Sequence, residues 1–156
     1  MLKIIRAETN DDFEQARLLC EEYAASLGID LSFQHFDEEL LNLPGQYSPS
    51  NGCLLLACYE NQTAGCVALR RLDRGVCEMK RLYVKPQFRS LKIGMLLVEK
   101  IIEAARKLEY SRMRLDTLSS MVRAQALYKS LGFQEIVPYR FNPVEGTVFM
   151  ELRLHN

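Results

Sequence analysis

The spacing of apolar and polar positions changes several times along these 156 residues, and each change marks an element. "LKIIRAE" (Leu2–Glu8) alternates and predicts a first strand. Thr9 or Asn10 then caps a helix whose first turn is acidic. Phe13, Ala16, Cys20, Tyr23, Ala24 and Leu27 recur at helical spacing up to a stop at Gly28. "FDEELLNLPG" predicts a short second helix ended by Pro44 and Gly45. "CLLLACYE" and "AGCVALRRL", joined by the residues "NQT", predict a hairpin. After the turn "RLDRG", "CEMKRLYV" (Cys77–Val84) predicts the third strand of the run. A long helix follows from about Leu91 to Leu108, then a strand over Arg112–Leu118 and a helix over "MVRAQALYKSLGF", closed by Gly132. Strands over "FQEIVPY" and "GTVFMELRL" flank the turn "RFNPVEG". There is no repeat, low-complexity tract or linker. The order β-α-α-β-β-β-α-β-α-β-β predicts one mixed α/β domain over residues 1–156.

Composition narrows the chemistry. Apolar residues make up 48% and charged residues 26%, and the formal net charge is zero. Neither a nucleic acid nor a membrane surface is therefore an expected partner, and any anion site must be local. No apolar stretch approaches the roughly 20 residues that span a bilayer, and a cytoplasmic location is expected. Cys20, Cys53, Cys58, Cys66 and Cys77 form no CxxC pair, and His35 and His155 lie far from any of them in sequence. No metal site is expected, and the cysteines read as reduced thiols in apolar surroundings.

The stretch "KRLYVKPQFRSLKIGMLL" carries the strongest local signal. Pro86 ends a strand because it has no N–H to donate. The chain then enters a helix, whose first-turn N–H groups lack internal partners and favour an anion. Gly94 permits close approach of a ligand, and Arg89 and Lys92 add positive charge, which together suit a pyrophosphate. A basic loop that holds nothing has the same spacing. Neither a Walker loop nor GxGxxG is present. The helix itself carries two apolar stripes, one through Ile93, Leu97, Ile101, Ala104 and Leu108, the other through Met95, Val98, Ile102 and Ala105. So wide an arc predicts packing against a sheet.

"RLYVKPQFRSLKIGMLLVEKIIEAAR", then "RLDTL", then "AQALYKSLGF", resembles the GCN5-related N-acetyltransferases (GNAT). The resemblance covers the chain from about Cys53 onward. It implies a GNAT fold, a single mixed, twisted sheet flanked by helices whose central strands splay at an acyl-CoA site. It implies acetyl-CoA as co-substrate. Backbone groups of Leu82, Tyr83 and Val84 are then expected to pair with the pantetheine arm, and the amides of Arg89, Ser90, Leu91, Lys92, Ile93, Gly94 and Met95 to hold the pyrophosphate. Lys92 stands where the family usually has its first glycine. A side chain there either crowds the pyrophosphate or binds it through its ammonium, and the second is expected.

Transfer to an amine with a pKa near 10.4 needs a base. Glu78, which interrupts the apolar "VCEM", is the expected base, acting directly or through water. A Glu paired with Lys80 or Arg70 has the same pattern. By the resemblance, Tyr128 protonates the departing thiolate, and a backbone N–H near Leu82 stabilises the oxyanion. Cys66 or Cys77 as acyl carrier is the rival mechanism, but neither has a histidine close in sequence to activate it. Asp116 and Thr117, at a strand end, and Tyr139, Arg140 and Asn142, in the last turn, are candidate acceptor contacts. Arg70, Lys80 and Arg81 suit either a carboxylate on the acceptor or salt bridges along the strands. The expected activity is direct transfer to a primary amine of a small molecule or a protein, and a homodimer is compatible with such a fold. The alternatives are transfer from another acyl-CoA and a CoA-binding regulatory module without catalysis.

Overall fold

The computed structural model describes residues 1–28, 38–39, 42–43 and 45–155. Thr9 opens the first helix with a reciprocal cap. Its hydroxyl accepts from the Asp12 N–H at 3.1 Å, and the Asp12 carboxylate accepts from the Thr9 N–H at 3.2 Å. Gly28 closes that helix at φ 64°, a conformation glycine adopts without steric cost. The elements are β1 (Leu2–Arg6), α1 (Asn10–Leu27), β2 (Cys53–Tyr59), β3 (Gln62–Asp73), β4 (Val76–Val84), α2 (Ile93–Lys107), β5 (Arg112–Thr117), α3 (Val122–Ser130), β6 (Gln134–Ile136) and β7 (Val148–Arg153). The helix expected over residues 36–45 lies largely outside the described residues; Glu38 and Glu39 within it are helical.

The strands form one mixed sheet in the order β1-β2-β3-β4-β5-β7-β6. Only β4 and β5 are parallel neighbours, joined by the crossover through α2. The run "CLLLAC" is apolar without a break because β2 is buried on both faces. Leu54 and Leu56 pack with Ala16 and Leu19 of α1, while Cys53, Leu55 and Ala57 pack with Ile93, Leu97 and Ile101 of α2. β3 divides in the same way, Cys66 and Ala68 to one core, Val67 and Leu69 to the other. α2 buries Ile93, Leu97, Val98, Ile101, Ile102 and Ala105, while Met95 of the expected second stripe is 40% exposed.

Three boundaries differ from the sequence expectation. The β2–β3 turn has two residues, since Tyr59 pairs with Gln62. Glu60 and Asn61 both take positive φ, 48° and 64°, the pair of values a tight hairpin turn requires. β6 keeps only Gln134–Ile136 of the expected strand, because Pro138 follows closely and cannot donate to a ladder. α3 begins at Val122 and ends at Ser130. Among the described residues no helix is long and apolar enough to cross a membrane.

Candidate active site

The central strands do separate. β4 and β5 pair only at Val76/Arg112, Cys77/Met113 and Glu78/Arg114. Both strands continue beyond those pairs, β4 to Val84 and β5 to Thr117. A cavity of about 640 Å³ lies there, lined by residues 79–84 on one side and 115–118 on the other. That volume takes a small-molecule ligand or cofactor arm. Residues at the start of α3 and the C-terminal end of α1 close it, with Asn142, Val144 and Thr147 from the connection before β7.

The β4 wall is irregular. Its register on β3 shifts between Cys66 and Ala68, and Arg81 takes φ 60°. A bulge of this kind re-aims side chains and backbone beside it. The Arg81 guanidinium is buried and grips Glu39, with Nε 2.8 Å from Oε2. Gly65 supports the wall from behind. A Cβ at that position would lie 2.6 Å from the Tyr83 carbonyl oxygen, so the close approach of β3 to β4 needs glycine there.

After β4, Pro86–Leu91 makes a 3-10 turn, and Lys92 delivers the chain into α2 at φ 57°, ψ 28°. A lysine in the left-handed region costs about 1–2 kcal/mol. Glycine avoids that cost but gives back part of the gain to the unfolded chain. Lys92→Gly is therefore expected to raise Tm by a few degrees, or about 0.5–1 kcal/mol, in a calorimetric melt. The Lys92 side chain is exposed and does not line the cavity.

Of the residues expected to hold a cofactor, Leu82, Tyr83, Val84, Arg89 and Gly94 line the cavity. Ser90, Leu91 and Met95 are exposed and Ile93 is fully buried, and none of these four lines it. Arg89 reaches back over the strand end. Its Nε donates to the Val84 carbonyl at 3.0 Å, and its guanidinium lies 5.8 Å from the centre of the Tyr83 ring. The first turn of α2 carries no side-chain cap, so its leading N–H groups have no side chain bound to them.

Tyr128 is 5% exposed, lines the cavity, and packs its ring 5.6 Å from that of Phe133. Among the described residues its hydroxyl has no hydrogen-bond partner. Burial, with Tyr23 and Asp116 nearby, holds its pKa above the usual phenol value, so the proton stays on.

Glu78 sits elsewhere. It is 0% exposed and does not line the cavity. Arg70 Nε donates to its Oε1 at 2.8 Å, Tyr139 Oη to its Oε2 at 2.6 Å, and Arg140 meets both oxygens. Burial alone would raise this carboxyl's pKa. The charges of Arg140, Lys80 and Arg70 and the Tyr139 hydroxyl outweigh burial and hold it below the ordinary value. Tyr139 itself is off the cavity, its ring centre 5.4 Å from the Arg114 guanidinium and 5.3 Å from that of Arg140, and edge-on to Phe149 at 5.1 Å.

Arg140 also contacts Asp116, Nη2 to Oδ2 at 3.2 Å, and Asn142 Nδ2 reaches the same oxygen at 3.2 Å. Asp116, Thr117 and Asn142 all line the cavity, and Asp116 is the only carboxylate among the described lining residues. Cys66 and Cys77 are buried, and burial pushes the Cys77 thiol up to about 12, a poor starting point for an acyl carrier.

Sequence reasoning did not place Tyr23 or Thr147 in the site, and both line the cavity. Tyr23 lies on the apolar stripe of α1, where spacing alone does not separate a site hydroxyl from a packing ring; the available signal is a hydroxyl on that stripe near the helix end. Thr147 lies in a connection whose path no periodicity specifies.

Residues 11–133 match the acetyltransferase (GNAT) family. An uncharacterized N-acetyltransferase of Schizosaccharomyces pombe is 44% identical over 155 residues, 98% of this chain and 95% of the relative. A GNAT-family acetyltransferase of Staphylococcus aureus superposes with a TM-score of 0.83 at 25% identity, over 99% of this chain and 100% of its own. A Salmonella typhimurium protein, solved with acetyl-CoA, superposes at 0.74 and 20% identity, over 99% of this chain and 94% of its own.

Proposed function

This chain belongs to the acetyltransferase (GNAT) family, and from that premise we propose that it moves an acetyl group from acetyl-CoA directly to a primary amine within a ternary complex. The observation that carries the reading is the Tyr128 hydroxyl, without a hydrogen-bond partner among the described residues, in a cavity opened by the separation of β4 from β5. The pantetheine arm runs along Leu82, Tyr83 and Val84 as an added strand, and the pyrophosphate lies at Arg89 and the first turn of α2. The backbone N–H of Leu82, re-aimed by the bulge, faces the developing oxyanion.

Asp116 is the base in this reading, because it is the carboxylate that the described residues bring to the cavity. The acceptor ammonium gives Asp116 one proton, and its lone pair attacks the thioester carbon. The C–N bond forms, the C–S bond breaks, and the thiolate takes the Tyr128 proton. The second amine proton restores the phenol. Glu78 has a different part from the one expected of it. Buried and held by three donors, it orients Arg140, whose far side meets Asp116. It is a positioning residue.

Calorimetric titration with acetyl-CoA tests the cofactor half. One saturable site is expected, with Kd raised roughly tenfold or more in Arg89→Ala, the loss of one charge-assisted phosphate contact. Equal affinity in the variant would remove Arg89 from the pyrophosphate site. No binding at millimolar ligand would overturn the reading.

A further inference from the structure

Three cations, Arg70, Lys80 and Arg81, stand close together on β3 and β4. The structure uses two of them. Arg70 is paired with Glu78 and Arg81 with Glu39. Lys80 forms no ion pair with any described residue, yet it is half-buried and lines the cavity. A cation taken out of water without a partner is costly, and such groups persist where something else neutralises them.

Its position specifies what that is. Glu78 pairs with Arg114 across the parallel ladder, so Lys80 and Asp116 are the next pair on the same sheet face. The splay parts them, and both line the cavity between. Asp116 binds Arg140 and Asn142 through Oδ2 alone; among the described residues Oδ1 accepts no hydrogen bond. Among the described residues, one side of the gap therefore presents an ammonium without an ion pair and the other a carboxylate oxygen without a donor.

We infer that the acceptor is a small zwitterion, a free amino acid whose amine meets Asp116 and whose carboxylate meets Lys80. The inference rests on the acetyl-transfer reading above and names its substrate class. The surroundings of Lys80 agree. Burial and Arg81, with a smaller push from Arg140, lower its pKa to about 8 against the pull of Glu78 and Glu39, and a bound carboxylate would restore the cation. A lysine on a protein surface carries no carboxylate beside its amine and leaves Lys80 unpaired.

The test uses acetyl-CoA with the free amino acids, their carboxamides, and a short lysine peptide, following thiol release. Masking the carboxylate as an amide lowers the pKa of the amine, which by itself favours the amide. Preference for the free acid therefore has to come from the site. The wild-type protein is expected to acetylate at least one free amino acid with kcat/KM roughly 10–100-fold above its amide. Lys80→Met should lose that preference through a higher KM for the acid, and Lys80→Arg should recover it. A thermal melt of Lys80→Met at or above wild type shows the fold intact. Amides or the lysine peptide turned over as well as the free acids, or a preference surviving in Lys80→Met, overturn the inference and leave acetyl transfer standing. No turnover with any amine, while acetyl-CoA binds in calorimetry, overturns both.

Discussion

Tyr128→Phe is expected to lower kcat by roughly 10²–10³-fold while acetyl-CoA still binds with its wild-type affinity. The change removes one oxygen. The ring stays in its core contacts with Phe133, and no described residue loses a hydrogen bond, since none bonds that hydroxyl. Stability is therefore expected within about 0.5 kcal/mol of wild type, and a lost rate cannot be assigned to unfolding. What disappears is a proton held at the cavity wall. Because burial raises the phenol's pKa, it stays protonated through the neutral range and is available whenever the C–S bond breaks. Steady-state kinetics beside calorimetric binding measures both halves. An unchanged kcat would make Tyr128 a packing residue whose hydroxyl merely faces the cavity, and the proton donor would have to be water.

The fold was legible because its local signals agree with one another. Thr9 and Gly28 bound α1, unbroken apolar runs mark strands buried on both faces, and the α2 stripes require a sheet beneath them. The cavity lining was legible where the motif coincides with a change of local structure, as at Arg89 and Gly94, which line it where a strand ends and a helix begins. It was opaque where depth decides the role. Glu78 and Asp116 are both acids in strands with mixed neighbours. Only the sheet shows that one is sealed beneath two arginines and that the other faces the cavity. Lys80, Arg70 and Arg81 were likewise indistinguishable as cations, because pairing depends on Glu39 and Glu78 arriving from distant or neighbouring elements. Lys92 is a case of side chain and backbone parting company. Its left-handed φ serves the turn into α2, while its ammonium is exposed away from the cavity lining.

Glu78→Gln is expected to destabilise the protein by about 3–5 kcal/mol, lowering Tm by on the order of 10 °C. A carboxylate accepts from every side, and here it takes donors from Arg70, Arg140 and Tyr139 at once. Glutamine has one accepting oxygen, and its amide N–H₂ would face a guanidinium or the Tyr139 hydroxyl. Arg70 would also lose its ion-pair partner, and Arg140 would keep only Asp116 of its two. Removing Arg140 as well should relieve part of the damage, so Glu78→Gln with Arg140→Gln is expected to cost less than the sum of the single changes. The pH dependence carries its own sign. The folded carboxyl has a pKa below its unfolded value of 4.5, so its contribution is present above that pH and fades as pH falls through the folded value. The gap in Tm between wild type and Glu78→Gln should be full at neutral pH and close in acid. Activity separates positioning from proton transfer. Below its melting range Glu78→Gln should turn over more slowly, because Arg140 no longer holds Asp116 in place, yet the acidic limb of kcat/KM against pH should remain. Loss of that limb in Glu78→Gln, and its survival in Asp116→Asn, would return the base to Glu78 and require the cavity to open as far as that buried carboxylate.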